Sequence, residues 1–356
     1  RTTPGLPNET RLETWGTSAR VTWDLSDALT LKSITGYREL RTDDYIDFDA
    51  TELELADALV AVDQDQVSQE LQLTYDSGPL TAVGGLYYLK EEVASHQESY
   101  DDALLGPLYG DATFLRLIDD ALETTSKAAY ANVSYALTDA LRLSAGVRYT
   151  EEEKDYARST SVVSSFLLGG LPVLNTTYAF APPTGTYDDT SIMLSVDYQL
   201  NRDAMVYARY AQGFKSGGFN GRANSATEAT EYQPETADTF EVGAKNQYWD
   251  NRFRLNLAAF ITKYDDFQAR VSGIETPPGG GVPTPVLSVI NAGSLDIAGF
   301  EIESVLVPVP GLTLDAQVGF LDADYKEFAD ARFTAFGGSR AFQDLSLIHI
   351  SEPTRR

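Results

Sequence analysis

The stretch Leu141-Arg142-Leu143-Ser144-Ala145-Gly146-Val147-Arg148-Tyr149 alternates strictly between apolar residues and residues that are polar or small. Successive side chains of a β-strand point to opposite faces, so its odd-numbered residues form an apolar face and its even-numbered residues a polar one. One face suits lipid and the other a watery lumen, which favours a membrane-spanning β-barrel. A soluble sandwich also alternates, so the periodicity leaves that fold open. The same alternation recurs at 15–24, 129–135, 254–262 and 312–320.

The connections between such segments fall into two sets. Short turn signals lie at 25–28, 76–79, 137–140, 200–203, 249–252 and 308–311. Longer stretches rich in Gly, Pro, Ser, Thr and Asp lie between them, at 46–64, 96–125, 155–187, 215–235 and 270–292. Tight turns on one edge and long loops on the other are typical of an antiparallel up-and-down barrel, here with about twelve strands. Leucines at loosely helical spacing within 101–125 predict a short helix over one loop.

Composition excludes several classes of function. The 356 residues carry a formal net charge of −26, which argues against a nucleic-acid partner because phosphate binding needs a basic face. The absence of cysteine excludes disulfides, thiolate metal sites and cysteine nucleophiles. Two histidines, His96 and His349, are too few for most metal sites. No apolar run approaches 18 residues, so a transmembrane helix is not predicted.

Candidate catalytic and metal sites are weak. Acid/base pairs can be drawn among Glu151, Glu152 and Glu153, or between Asp322 and Asp324, but nothing fixes the separation that such chemistry needs. His96 lacks a Ser-His-Asp order or a nucleophile elbow, so it is interpreted as a polar loop residue. A calcium site fails the EF-hand spacing, because Glu52 stands where glycine is required. The candidates for that calcium site are Asp43, Asp44, Asp47 and Asp49. Because none of these groups forms a specific site, we predict that the chain is not an enzyme and holds no cofactor or metal.

One run is more specific: Gly213-Phe214-Lys215-Ser216-Gly217-Gly218-Phe219-Asn220. Pro234-Glu235 and then Phe240-Glu241-Val242-Gly243-Ala244-Lys245 follow it in order. Further matches are Ser68-Gln69-Glu70-Leu71-Gln72-Leu73 and Gly299-Phe300-Glu301-Ile302-Glu303. This pattern resembles the TonB-dependent outer-membrane receptors, especially the siderophore-receptor-like members. The resemblance covers almost the whole chain, up to about Gln343.

The resemblance implies a plug domain and a TonB-binding box before a barrel of 22 strands, of which residues 1–344 look like an internal part with about 12. Neither plug nor box is visible in this chain. The implied function is energy-dependent uptake of a scarce, bulky nutrient across the bacterial outer membrane. A ferric siderophore is the first candidate, with vitamin B12, haem, nickel chelates and oligosaccharides open. Implied partners are TonB, the ligand, and outer-membrane lipid with lipopolysaccharide. A passive porin or adhesin barrel is the alternative, followed by a secreted all-β carbohydrate-binding protein or enzyme.

The same resemblance points to residues along the substrate path. Glycines 213, 217, 218 and 221 are expected to let a strand bend into a loop. Aromatic and cationic groups near them can meet an anionic ligand at the outer mouth, or can simply stabilise the strand-loop junction. Arginines on the polar faces can line the ligand path or pair with carboxylates of the plug and wall. The path candidates are Arg209, Phe214, Lys215, Phe219, Asn220 and Arg222, and the other lumen-facing arginines are Arg20, Arg142, Arg148 and Arg254.

The C-terminal segment departs from this pattern. Leu345-Ser346-Leu347-Ile348-His349-Ile350-Ser351-Glu352-Pro353-Thr354-Arg355 resembles the conceptual translation of a sequencing-library adapter. It breaks the strand rhythm and follows a stretch, 332–344, that reads as a polar loop. Residues 345–356 are therefore predicted to be a non-native tail, and a natural tail of chance similarity is the alternative.

Overall fold

The computed structural model describes residues 9–47, 57–100, 114–168, 171–223, 228–275 and 284–327. This part of the chain is built from β-strands joined by turns and loops, as the sequence predicts. None of its elements is a helix long and apolar enough to cross a membrane. The strands are β1 (Thr10–Ser26), β2 (Leu29–Asp47), β3 (Asp57–Ser77), β4 (Leu80–Tyr100), β5 (Phe114–Ala136), β6 (Leu141–Leu168), β7 (Leu171–Phe180), β8 (Gly185–Asn201), β9 (Ala204–Lys215), β10 (Gly218–Phe219), β11 (Glu231–Tyr232), β12 (Glu235–Tyr248), β13 (Phe253–Asp265), β14 (Gln268–Glu275), β15 (Thr284–Asn291), β16 (Leu295–Val309) and β17 (Leu312–Tyr325).

Twelve of these strands form one continuous antiparallel path in the order β1-β2-β3-β4-β5-β6-β8-β9-β12-β13-β16-β17, and β7 pairs with β6 beside it. Strands that follow one another along this path also lie side by side, which is the up-and-down topology predicted from the sequence. Within the described residues β1 and β17 lie at opposite edges of the sheet and do not pair with each other. The described sheet is therefore an unclosed barrel wall.

All six predicted short turns join neighbouring strands at one edge, which we call the turn edge. Gly78 and Gly311 adopt φ angles of 57° and 87°, a region that glycine occupies without steric cost. Trp249, Asp250 and Asn251 also have positive φ, and they reverse the chain between β12 and β13. The opposite edge carries the long connections, and we call it the loop edge.

Strand register confirms the two predicted faces. Ala145 of β6 lies opposite Val133 of β5 and Leu194 of β8, and residues directly opposite one another share a face. The exposed fraction is 46% for Val147 and 52% for Leu194, although both are large and apolar. An extended exposed apolar surface indicates contact with lipid. This apolar face includes Val21, Leu71, Leu86, Val133, Val147, Leu194, Phe240, Leu257, Phe300 and Val318. We call the other side the polar face.

Aromatic side chains border the apolar face at two levels. From Leu141 to Tyr149 the strand rises about 27 Å, and the usual tilt reduces this to about 20 Å, near the height of the apolar band of outer-membrane barrels. Aromatic girdles at both limits of such a band are typical of barrels in lipid. The girdle nearer the loop edge contains Trp15, Tyr37, Tyr88, Tyr149 and Tyr210, and the girdle nearer the turn edge contains Trp23, Tyr75, Tyr135, Tyr198 and Tyr248.

Beyond the band, strands continue where the sequence predicts irregular loops. β3 begins at Asp57 and β6 continues to Leu168, well inside the predicted loops 46–64 and 155–187. Water contacts both faces there, so the side chains lose their alternation while the backbone groups still pair with the neighbouring strand. The helix predicted within 101–125 is wrong for residues 114–125, which belong to β5. Its remaining part, 101–113, and the tail at 345–356 lie outside the described residues.

Glycines on the polar face let side chains of neighbouring strands cross over them. A Cβ on Gly243 would lie 2.6 Å from the carbonyl oxygen of Leu257 and 2.6 Å from the ring of Tyr207. We expect Gly243→Ala to lower the free energy of unfolding by about 1–3 kcal/mol because backbone must shift. Gly319→Ala is the matched control, since a Cβ there meets nothing within 4 Å. Urea titration of the folded receptor in vesicles measures the stability of both variants. Equal unfolding midpoints would contradict the close approach of Leu257 and Tyr207 to Gly243.

Candidate functional site

The glycine-rich run forms a loop that folds back over the polar face. We call residues 216–223 and 228–234, between β9 and β12, the glycine loop. Its two short strands pair with each other, Gly218 with Tyr232 and Phe219 with Glu231. A Cβ on Gly217 would overlap the Tyr187 ring and lie 2.5 Å from the Tyr232 carbonyl oxygen. Gly217 and Gly218 lie where β9 ends and the loop begins, and because neither has a positive φ the role that the structure shows for them is close approach.

Lys154 fastens the first residues of the loop. Its Nζ donates to the carbonyl oxygen of Gly217 at 2.8 Å and to the hydroxyl of Ser216, and it lies 3.5 Å from the Glu152 carboxylate. The Lys154 Nζ also lies over the face of the Tyr187 ring, 5.7 Å from the ring centroid. Lys154 lies in the part of β6 beyond the apolar band, where burial lowers its pKa and Glu152 offsets part of that effect.

Arg158 fastens the middle of the loop from the same strand. Only 6% of Arg158 is exposed, and its Nη1 donates to the two oxygens of Asp120 at 2.8 and 2.7 Å. The same nitrogen donates to the carbonyl oxygen of Gly221 at 2.8 Å. Tyr156 completes the group, since its hydroxyl donates to Asp120 at 2.6 Å. A half-buried carboxylate on β5 therefore orients the cation that holds the loop.

Aromatic contacts complete the attachment. The Phe219 ring stacks on Tyr156 with centroids 5.7 Å apart and planes inclined by 7°, and Phe180 packs edge-on against both rings. Tyr187, 3% exposed, donates its hydroxyl to Glu231 at 3.0 Å. These rings join the loop to β6, β7 and β8, so the loop is held by packing as well as by charge.

The base of the loop is tied to the next hairpin, β14 and β15. Gln268 donates its side-chain amide to the carbonyl oxygens of Ser216 and Gln233 at 2.9 and 3.1 Å. Asn291 forms reciprocal 2.8 Å hydrogen bonds with the backbone of Gln233. The Gln268 backbone amide donates to the Glu235 carboxylate at 2.7 Å. Both ends of the glycine loop are thereby anchored to neighbouring strands.

The structure divides the six predicted path residues into groups. Asn220 is completely buried, and its amide donates to the carbonyl oxygen of Glu228 at 2.8 Å, so with Phe219 it shapes the loop. Lys215 and Arg222 are exposed, and Lys215 lies 4.0 Å from Glu235. Register places Phe214 on the same face as Tyr210 and Phe240. It places Arg209, together with Lys215, on the opposite, polar face.

A second group lies on the polar face at the level of the apolar band. The Arg148 guanidinium lies over the rings of Tyr87 and Tyr130, 5.7 and 5.8 Å from their centroids. Its Nε donates to the Thr150 hydroxyl at 3.1 Å. The Tyr130 hydroxyl donates to Glu70 at 2.5 Å. An open cavity of about 460 Å³ adjoins this group and is lined by Asn132, Arg148, Thr150, Ser191, Gln212 and Phe214, among others.

The other candidates from the sequence do not converge. His96 contacts Asp119 at 2.6 Å and Glu98 at 3.2 Å on the extended part of β4. Asp43 and Asp44 are consecutive residues of β2, so their side chains point to opposite faces. Glu152 contacts Lys154, whereas Lys127 on the other face lies 4.0 Å from Glu151 and 3.9 Å from Glu153. Asp49 lies outside the described residues, among which no group of three carboxylate or histidine side chains can hold a metal ion.

Sequence reasoning missed the residues that hold the loop. Lys154 and Gly217 are 63 positions apart, as are Arg158 and Gly221, so no local motif joins them. The only signal was the cationic character of Lys154, just before the predicted loop at 155–187, and of Arg158 within that loop, which is otherwise rich in Gly, Pro, Ser and Thr. Pairing of β6 with β8 and of β8 with β9 brings these positions together.

Comparisons with known proteins agree on one architecture. A family model described as "TonB dependent receptor-like, beta-barrel" matches residues 1–344. The pesticin receptor of Yersinia enterocolitica is 28% identical over 199 residues, which cover 56% of this chain and 26% of the relative. The rhizobactin receptor of Rhizobium meliloti is 27% identical, covering 45% of this chain and 25% of the relative. The chain thus spans about a quarter of the length of these curated relatives.

A solved structure extends the likeness to the fold. The crystal structure of the ferric yersiniabactin uptake receptor FyuA from Yersinia pestis superposes with a TM-score of 0.70 at 19% identity. The match covers 90% of this chain and 44% of that receptor. At this identity the likeness concerns the fold, and it places the unclosed sheet as part of a larger barrel wall.

Proposed function

Because the chain belongs to the TonB-dependent receptors and forms part of their β-barrel, we propose that it is the wall of a receptor that imports a ferric siderophore. Members of this family lie in the bacterial outer membrane, and this chain is accordingly an outer-membrane protein. The match of residues 1–344 to the family's barrel is the single observation that carries the proposal. The short turns then face the periplasm and the long connections face the cell exterior.

The choice of ligand class is supported by the relatives. Two are named as receptors for pesticin and rhizobactin, and the similar structure is a receptor for ferric yersiniabactin. The wall adds a consistent feature, since five arginines share the polar face: Arg20, Arg142, Arg148, Arg209 and Arg254. Cations along a lumen favour anionic cargo over neutral or cationic cargo.

In the proposed mechanism the barrel performs no covalent chemistry. The family is made up of transport receptors and not of enzymes, and we extend that to this chain. A ligand binds at the loop edge, TonB supplies energy through a segment outside this chain, and the ligand passes along the polar face. A passive porin or adhesin barrel is not favoured, because the family match is to receptors that depend on TonB.

Residues of β9 and of the glycine loop take two roles in this proposal. Arg209, Lys215 and Arg222 contact the ligand, because each is exposed and cationic. Phe219 and Asn220 keep the loop in place through the ring stack and the buried amide. Phe214 shares the apolar side of the sheet by register but also lines the cavity beside Arg148, so we assign it to the border of the path.

Uptake of radioactive iron tests the function directly. The complete receptor that contains this chain is expressed in bacteria lacking their own siderophore receptors, with and without TonB. We expect one of the chelates ferric yersiniabactin and ferric rhizobactin to be accumulated above the level of the empty vector, and only when TonB is present. Accumulation that does not need TonB would indicate a passive pore, and failure with both chelates would contradict the proposed ligand class.

We propose separately that residues 345–356 are not part of the natural protein. The family match ends at residue 344, and the resemblance of the tail to an adapter sequence is independent of that match. Sequencing the source gene through this region with long reads is expected to replace Leu345 to Arg356 with further barrel sequence. A gene that encodes Leu345 to Arg356 unchanged would contradict this proposal and leave the receptor assignment in place.

A further inference from the structure

The group around Arg148 has the properties of a binding site for a negatively charged oxygen ligand. Two tyrosine rings fix the position of the guanidinium, and Thr150 accepts a hydrogen bond from its Nε. A cation that packs over aromatic rings is held in place before a ligand arrives, so it loses little conformational freedom on binding. The planar guanidinium is also the side chain best suited to a carboxylate, which it can bind with two parallel hydrogen bonds.

The terminal nitrogens of Arg148 are not engaged by a protein carboxylate in the described residues. No Asp or Glu lies within the 4.0 Å of an ion pair. Glu70 is the acidic member of the group, and it accepts instead from Tyr130 at 2.5 Å and from Gln72 at 3.0 Å. Glu70 thus has neutral donors of its own, while Arg148 retains donors that face the polar side.

No Asp or Glu lines the adjoining cavity, although Asp189 and Asp238 lie directly behind the lining, where they accept hydrogen bonds from Ser191 at 2.5 Å and from Gln212 at 3.0 Å. Its volume of about 460 Å³ is within the size of small-molecule sites, and on the polar face its lining offers one cation together with the neutral polar groups of Asn132 and Thr150. The nearest carboxylates already accept hydrogen bonds from Ser191, Gln212 and Tyr130, so an anion that enters the cavity meets the Arg148 cation and neutral polar groups first.

We propose that Arg148 and this cavity form a subsite for a carboxylate group of the transported ligand, one level below the loop edge. The subsite lies on β4, β5, β6, β8 and β9 and is distinct from the glycine loop. The inference deepens the proposed function and rests on it. A carboxylate could also come from another segment of the receptor, so the test has to distinguish that source from a free ligand.

Chemical labelling of arginine tests the subsite without knowledge of the natural ligand. The complete receptor in membranes is treated with phenylglyoxal at constant ionic strength, with and without citrate as the carboxylate probe, and labelled peptides are quantified by mass spectrometry. Arg142 is the control within the same strand, since it faces the polar side but lies outside the cavity. We expect citrate to slow the labelling of Arg148 and to leave that of Arg142 unchanged.

A variant adds a second readout. Tyr87→Leu removes one ring from the guanidinium, and the citrate concentration for half-protection is expected to rise about threefold. The labelling of the unaltered receptor needs no variant, so a folding defect in Tyr87→Leu leaves the test intact. Equal labelling of Arg148 with and without citrate would overturn the inference. Labelling that is already far slower than at Arg142 before citrate is added would identify a carboxylate of the receptor itself and would also overturn it. Neither result depends on uptake, so the proposed function can fail or stand separately.

Discussion

Arg158→Met is expected to release the glycine loop and to reduce uptake about tenfold or more, since 1.4 kcal/mol corresponds to a factor of ten. The substitution removes the hydrogen bond to Gly221 and leaves the Asp120 carboxylate without its cation. Removing one partner of a buried ion pair costs about 3–5 kcal/mol, and the lower end applies here because Asp120 is 22% exposed. The loop edge then loses the contact that positions Phe219 and Asn220.

Two variants separate loss of the loop from loss of folding. Asp120→Asn combined with Arg158→Met removes the uncompensated charge, so it should regain stability while the loop remains free and uptake remains low. Arg202→Met removes an arginine at the turn edge whose side chain is 87% exposed, and uptake is expected to be unchanged. Protease cleavage within the loop on intact cells provides a direct reading of its release. Full uptake by Arg158→Met, with an uncleaved loop, would contradict the assigned role.

Ala145→Arg is expected to prevent insertion of the receptor, whereas Ser144→Arg should insert nearly normally. The two residues are neighbours on β6, both are small, and register places them on opposite faces in the middle of the apolar band. An arginine facing the centre of a bilayer costs about 2–4 kcal/mol in outer-membrane barrels, while the same side chain in the lumen is solvated. Ser144 lies opposite Ser134 and Ser195, so the new charge meets neutral hydroxyls.

Heat-modifiable electrophoretic mobility measures the folded fraction of each variant in outer-membrane preparations. The account predicts a large loss of the folded form for Ala145→Arg and a small one for Ser144→Arg. The reverse order, or equal losses, would mean that the apolar face does not meet lipid. The comparison is informative because side-chain size and strand position are matched, so only the face differs.

The sequence predicts the membrane-spanning part of the strands well, because lipid contacts one face of the sheet there and water contacts the other. Leu141 to Tyr149 must present apolar side chains to lipid and polar ones to water, so the alternation is strict and register follows from it. The six short turns are predicted equally well, since turn-forming residues such as Gly78 and Gly311 mark their positions in the sequence. Twelve strands in the main path agree with the about twelve counted from the sequence.

Outside the band the same reasoning fails for a physical reason. Both faces of the strand extensions contact water, so β6 from Asp155 onward is predicted to be a loop although it pairs with β5. In β5, Leu115 and Leu117 lie on one face of the strand while Ile118 and Leu122 lie on the other. Because apolar residues occur on both faces, their spacing in the sequence resembles that of a helix. The contacts of Lys154 and Arg158 with the glycine loop depend on pairing across strands distant in sequence, which one sequence without its fold does not reveal.

The most direct test of the account is the solvent that each residue of Leu141–Tyr149 meets in lipid vesicles. The chain has no cysteine, so single cysteines can carry a spin label at each position once cysteines outside it are replaced. Oxygen concentrates in the bilayer, so its collision rate with the label reports contact with lipid. The account predicts a period of two, with maxima at the odd-numbered residues. Maxima at the even-numbered residues, or no alternation, would contradict a barrel wall with its apolar face in the membrane.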